Sequence, residues 1–213
     1  MSGGWPGPEE VAPFIERIEN AQTALAEQVR GLTDDQVADA SLLPGWTRGH
    51  VLTHLARHAD ATTRMVEGAA RGEVVPQYEG GAQGRVEEIE RGASRPAADQ
   101  VLDLIAAGKR CLAALHAAPP EAWERPVAGD VPATKALVSR WREVEIHRVD
   151  LRMDFTPEDW TDEFIKFLLP RELPRLADRS AGTPVPEGLP EHAVLAWLIG
   201  RGEPGLPELP AWA

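Results

Sequence analysis

Between Arg140 and Asp150 the chain reads Arg-Trp-Arg-Glu-Val-Glu-Ile-His-Arg-Val-Asp, and this segment constrains the fold more than any other. At about 100° of rotation per residue, Leu137, Val144 and Leu151 share one arc of a helix with Glu143 and His147. That arc is the apolar side, so a carboxylate and an imidazole turn towards the core. An ionised carboxylate is not buried alone; it needs an arginine, a hydrogen-bonding network or a metal ion. Arg48 and Arg140 are candidate ion-pair partners, and a divalent metal would satisfy Glu143 and His147 together. Zinc sites take three or four protein ligands, so the metal reading requires another ligand from elsewhere in the chain.

The rest of the chain supplies three more long segments of helical period. Val11, Phe14, Ile15, Ile18, Ala21, Leu25 and Val29 form the first stripe, which stops at Gly31. Thr33 and Gln36 have the form of a capping box over a short turn that ends near Leu42-Leu43-Pro44-Gly45. Thr47 is an N-cap candidate for a second long helix, with Val51, Leu52, Leu55, Ala59, Thr62 and Val66 inward and an end at Gly68 to Gly72. This helix carries His50, His54 and His58 at successive i, i+4 positions, and one of the three could meet Glu143 and His147. Residues 72 to 94 read as a loop that regains helix around Val86 to Arg91. Pro96 opens a third long helix, stopped by Pro119-Pro120, and the Glu143/His147 helix is the fourth. Four such segments predict a mainly α protein, an up-and-down four-helix bundle whose sites are built from inward side chains.

Beyond Asp154 the pattern changes. Thr156-Pro157-Glu158-Asp159 reads as a helix start, after which Pro170, Pro174, Pro184, Pro186 and Pro190 interrupt the chain. A short helix over Glu191 to Arg201 and a small strand near Thr183 to Val185 are expected there, the latter as a small α/β element. The division expected is a bundle over 1–154 and a Pro-rich extension over 155–213 packed on it.

Composition enters as exclusion. A formal charge of -12 without a basic run argues against binding a nucleic-acid backbone. No stretch approaches the roughly 18 apolar residues of a membrane span, and the first ten residues lack the pattern of a signal peptide, so a cytoplasmic location is expected. The single cysteine, Cys111, lies in an apolar context and reads as a core residue. Any metal would therefore be held by histidine and carboxylate, and any thiol chemistry would use a low-molecular-weight thiol from outside the chain. Trp46, Trp141 and Trp197 read as core or cavity-wall residues.

Three stretches together carry a resemblance: Gly45-Trp46-Thr47-Arg48-Gly49-His50-Val51-Leu52-Thr53-His54-Leu55-Ala56, Arg140 to Leu151, and Ala196-Trp197-Leu198-Ile199-Gly200-Arg201. They resemble the mycothiol-dependent maleylpyruvate isomerase family of the DinB-like superfamily. The resemblance implies a DinB-like bundle holding zinc or another divalent metal through His54, Glu143 and His147. It implies Arg85 and Arg201 as the arginines that meet substrate carboxylates, although from the residues alone they read equally as a loop cation and a helix-end cation. It also implies mycothiol as cosubstrate and a small-molecule carboxylate or electrophile as substrate, and it admits a homodimer. The residues after Asp154 read as shorter than the C-terminal α/β domain of the better-known isomerases.

With three protein ligands a zinc ion keeps one open position, which can take a thiol and ionise it. The activity implied is isomerisation of maleylpyruvate to fumarylpyruvate by thiolate addition, bond rotation and elimination. Two other readings are kept: an S-transferase that stops after conjugating mycothiol to an electrophile, and a non-catalytic metal-binding stress or interaction module. A fourth protein ligand, His50 or His58, would favour the module.

Overall fold

The computed structural model describes residues 5–180, 182–210 and 212. It divides into two compact units, one running to Arg152 and the other beginning at Met153.

The first unit is built from α1 (Val11–Gln28), α2 (Asp34–Ala38), α3 (Arg48–Arg71), α4 (Gly81–Ala93), α5 (Ala97–Ala117) and α6 (Thr134–Asp150). Its core is the apolar stripes the sequence shows: Phe14, Ile18 and Leu25 of α1, Leu52 and Leu55 of α3, Leu115 of α5, and Leu137 and Val144 of α6 are almost wholly removed from water. Phe14 meets Trp141 edge-on, ring centroids 5.7 Å apart, which fastens α1 to α6. The four long helices are as expected, but their arrangement differs from a simple up-and-down bundle. α1 packs on α5 and α6, and α3 packs on the same two, so α1 and α3 face each other across the core. The connection through α2 is thus a crossover.

The segment read as mostly loop contains α4, thirteen residues long. Gly80, Gly81, Gly84 and Gly92 weaken its helical signal in isolation. Two of the unit's glycines are there for close approach: a Cβ on Gly92 would lie 2.3 Å from Thr53 Cγ2, and one on Gly49 would lie 2.6 Å from the Ala93 carbonyl. Tertiary packing against α3 overrides the poor propensity. Gln100 of α5 then ties down the end of α4 by donating to the carbonyls of Ala93 and Arg95.

Among the described residues the only strands are β1 (Pro126–Ala128) and β2 (Val131–Pro132), an antiparallel pair ahead of α6. The strand expected near Thr183 is absent. Pro184 and Pro186 flank Val185 and remove two of the donors a ladder would use.

The second unit holds α7 (Asp162–Arg179) and α8 (Glu191–Leu198), packed on each other. The helix start at Thr156 is only a 3-10 turn; Thr161 caps α7 instead, its hydroxyl accepting from the Phe164 amide. Pro170 and Pro174 do not break α7. They lie four residues apart on an exposed side, as does Lys166 one turn earlier, so water is at hand for the carbonyls they orphan. The last residues are tied by Trp197 donating to the Pro207 carbonyl and Trp212 to Glu172. Among the described residues no helix is long and apolar enough to cross a membrane.

Candidate metal centre

Helix α3 begins where Thr47 predicts. Its hydroxyl accepts from the His50 amide, and His50 Nδ1 accepts from the Thr47 amide at 3.1 Å, a capping box in which histidine replaces the usual Glu or Gln. His50 is thereby used at the helix start, with Nε2 turned to Glu90. One turn on, His54 points at α6. A further turn on, His58 is buried against Ser139 Oγ at 3.2 Å. The spacing that made the three histidines look equivalent gives each a different partner.

The C-terminal end of α6 is held by Arg48, whose Nε donates to the Leu151 carbonyl at 2.7 Å and Nη2 to that of Arg152 at 2.9 Å. A guanidinium there complements the carbonyl end of the helix. Arg140 is fully buried and donates to Gln22 and to the Leu55 carbonyl. Both arginines weighed as partners for Glu143 are therefore engaged elsewhere. Among the described residues Glu143 is paired only with histidines.

His54 Nε2 lies 2.8 Å from Glu143 Oε2 and 3.1 Å from His147 Nε2, and His147 Nε2 lies 3.2 Å from the same carboxylate oxygen. Three donor atoms from two helices converge on one point. Ligands about 2.0–2.2 Å from a tetrahedral zinc stand only slightly farther apart than this, so two imidazoles and a carboxylate fit a divalent ion. The His54 side chain is 4% exposed, that of His147 13% and that of Glu143 26%, so the centre opens on the Glu143 side. His50 and His58 do not close it.

The wider surroundings set the protonation. Asp150, fully buried, accepts from His147 Nδ1 at 2.7 Å and turns Nε2 inward. Burial opposes a charge on His147, but its hydrogen bonds to Asp150 and Glu143 win and raise its pKa to about 9. Burial lowers that of His54 to about 4, against the pull of Glu143. Burial also works against the Glu143 charge, yet the hydrogen bonds from His147 and His54 hold its carboxyl well below the usual range. Without metal the centre is thus an imidazolium and a neutral imidazole closed on a carboxylate.

Arg85, near the start of α4, reaches the centre: its Nη2 lies 3.1 Å from His54 Nδ1. A guanidinium can only donate, so Nδ1 accepts and Nε2 carries the proton that meets Glu143. A metal on Nε2 would reverse this tautomer and would require Arg85 to turn away. Tyr78, with Arg85 5.7 Å from its ring centroid, offers an alternative perch. Trp46 walls the other side, 5.7 Å from the His54 ring. Arg201 belongs to the second unit, where it donates to the Ile199 carbonyl and lies over Trp212. Cys111 is buried, and burial raises its thiol pKa, consistent with a core residue. Trp46 is the cavity-wall residue expected from sequence, whereas Asp150 and Tyr78 were not expected as parts of the centre. Asp150 had a signal, because it lies three residues after His147 on the same helix face.

In fold the chain is similar to the crystal structure of a mycothiol-dependent maleylpyruvate isomerase, with a TM-score of 0.85, 23% identity, and coverage of 97% of this chain and 100% of that one. A histidine-to-alanine mutant of that isomerase gives the same values. Since all of that chain is covered, the residues after Asp154 are not shortened relative to it, contrary to the expectation from sequence. No protein of curated function matches in sequence. The model of the mycothiol maleylpyruvate isomerase N-terminal domain matches residues 18–152, which include His54, Arg85, Glu143, His147 and Asp150. By that match over most of its length, the chain belongs to the mycothiol maleylpyruvate isomerase N-terminal domain family.

Proposed function

We propose that this protein is a metal-dependent enzyme that uses mycothiol to isomerise maleylpyruvate to fumarylpyruvate, with zinc held by His54, Glu143 and His147. The observation that carries the reading is the convergence of those three side chains, with no fourth protein ligand among the described residues. Bound there, a divalent ion supplies an open coordination position and the charge that makes a thiol ionise near neutral pH. Asp150 keeps His147 oriented. Glu143 supplies the one negative charge in the ligand set, and its exposed side is where cosubstrate enters. Arg85, once off His54, is placed to pair with a substrate carboxylate and to stabilise the negative charge that develops when the thiolate adds to the cis double bond. Rotation about the resulting single bond and expulsion of the thiolate give the trans isomer and return the thiol. Arg201 is proposed as the second carboxylate partner, on the family resemblance alone.

Metal content and turnover test this together. About one zinc per chain, absent from His54→Ala and Glu143→Ala, and mycothiol-dependent formation of a product of unchanged mass are expected. A thioether adduct as final product would replace isomerisation by S-transfer. A wild-type chain that takes up no metal when zinc is supplied would reduce the centre to a buried polar cluster.

A further inference from the structure

A second cavity, of about 280 Å³, opens between α1 and α5 and shares no lining residue with the metal ligands. Leu25, Leu104, Ile105 and Leu112 make its walls, and Gln22 and Arg140 its polar end. Arg140 is wholly buried, a position where arginine is ordinarily matched by a carboxylate. Here it has none within hydrogen-bonding distance among the described residues. Nε and Nη2 both donate to the neutral Gln22 Oε1, at 3.1 and 2.7 Å, and Nη1 donates to the Leu55 carbonyl at 2.8 Å. That accounts for three of the five N–H groups of a guanidinium. One amide oxygen thus stands where two carboxylate oxygens would fit. The amide of Gln22 is itself weakly held, reaching only the Gly108 carbonyl at 3.5 Å. Among the other lining residues Arg30 is ion-paired with Glu27, and Lys109 adds a further positive charge that favours an anion.

We propose that this cavity binds a small amphipathic carboxylate, an aromatic or medium-chain monoacid, whose carboxylate takes the Arg140 donors now held by Gln22 while its apolar body lies along Leu25, Leu104, Ile105 and Leu112. An apolar pocket with a few convergent polar groups is the usual form of a small-molecule site. A buried cation with no carboxylate hydrogen-bonded to it favours the acid over its neutral analogue. The inference does not depend on the metal centre or on the activity proposed for it.

The test uses the full chain and calorimetric titration with benzoate, octanoate and the neutral octanamide. One acid should bind saturably at one per chain, and octanamide at least about tenfold more weakly than octanoate, since it cannot supply the charge-assisted bonds. Ala26→Trp and Ile105→Trp fill the cavity from opposite walls and should each abolish binding while the circular dichroism stays native. His54→Ala should leave it unchanged. Equal binding of octanoate and octanamide, no saturable binding of either acid, or binding that survives a correctly folded cavity-filling variant would overturn the proposal. Loss of binding in His54→Ala would overturn it too, by moving the acid to the metal centre.

Discussion

One turn of α6 separates two buried polar clusters of opposite construction. Around Arg140 the donors fan outwards, to Gln22 on α1 and to the Leu55 carbonyl on α3, and join three helices. Around Glu143 and His147 the polar atoms face inwards, so that His54 Nε2, His147 Nε2 and one carboxylate oxygen crowd a single point. Both draw on α6, although Arg140 is wholly buried and the Glu143 side chain is 26% exposed. The difference is direction: a polar cluster that disperses its bonds holds helices together, and one that gathers them leaves a place for something else. Arg140 belongs to the first kind, yet its hydrogen bonds go to neutral oxygens alone, which is the ground for proposing a ligand in its cavity.

That contrast can be broken or sharpened by substitution. The largest effect is expected at the gathered cluster, where His54→Ala and Glu143→Ala should each lower zinc affinity by more than about 100-fold, beyond the range of indirect effects. Chelator competition reads this, and a smaller loss would place the two clusters in one class. Arg140→Met should instead destabilise the fold by roughly 2–5 kcal/mol in urea, because it strands the Gln22 oxygen and the Leu55 carbonyl in the core. Its folded fraction should keep full metal stoichiometry. Asp150→Asn, which weakens the grip on His147 Nδ1, should reduce metal affinity by about 10- to 100-fold without removing a ligand.

Protonation gives a finer test. With the His147 pKa raised from 6.5 to about 9, metal entry must expel a proton, so affinity should climb about tenfold per pH unit up to roughly pH 9. In the metal-free chain the sign for stability is opposite. The contribution of His147 is complete below its unfolded value of 6.5 and is lost as pH rises through about 9. That of His54, lowered to about 4, is complete above 6.5 and declines as pH falls towards 4. Stability of the metal-free protein should therefore peak near pH 6.5, and His147→Gln should flatten the alkaline side of urea midpoints. The smallest effect runs the other way: Arg85→Leu frees His54 Nδ1 to carry its proton and should raise zinc affinity by roughly three- to tenfold, about the worth of one hydrogen bond.

Much of the gathered cluster was legible in sequence, because Glu143 and His147 sit on an apolar helix face where polar residues need a reason. The two helix caps at Thr33 and Thr47 were legible for the same kind of reason, since side-chain capping is a local interaction. The choice of His54 over its neighbours came from the family resemblance and not from helix spacing. It depends on His50 meeting Thr47 and on His58 meeting Ser139, eighty-one residues away in the chain. α4 was mostly hidden because its glycines serve contacts with α3 that no local window contains. The prolines of α7 misled for the complementary reason: a missing hydrogen bond is tolerable where water replaces it, and exposure cannot be read from Pro170 and Pro174 alone.

The capping box at Thr47 also acts as an index mark. By fixing where α3 starts, it fixes the angular phase of every later residue on that rod, and His54 is seven positions along. Moving the start by one residue would turn the imidazole through about 100°, off the α6 side altogether. The loop from Leu42 to Trp46 lends the centre its Trp46 wall, and its length relative to Thr47 cannot change unnoticed. A candidate centre assembled from remote segments is thus calibrated by a contact three residues long.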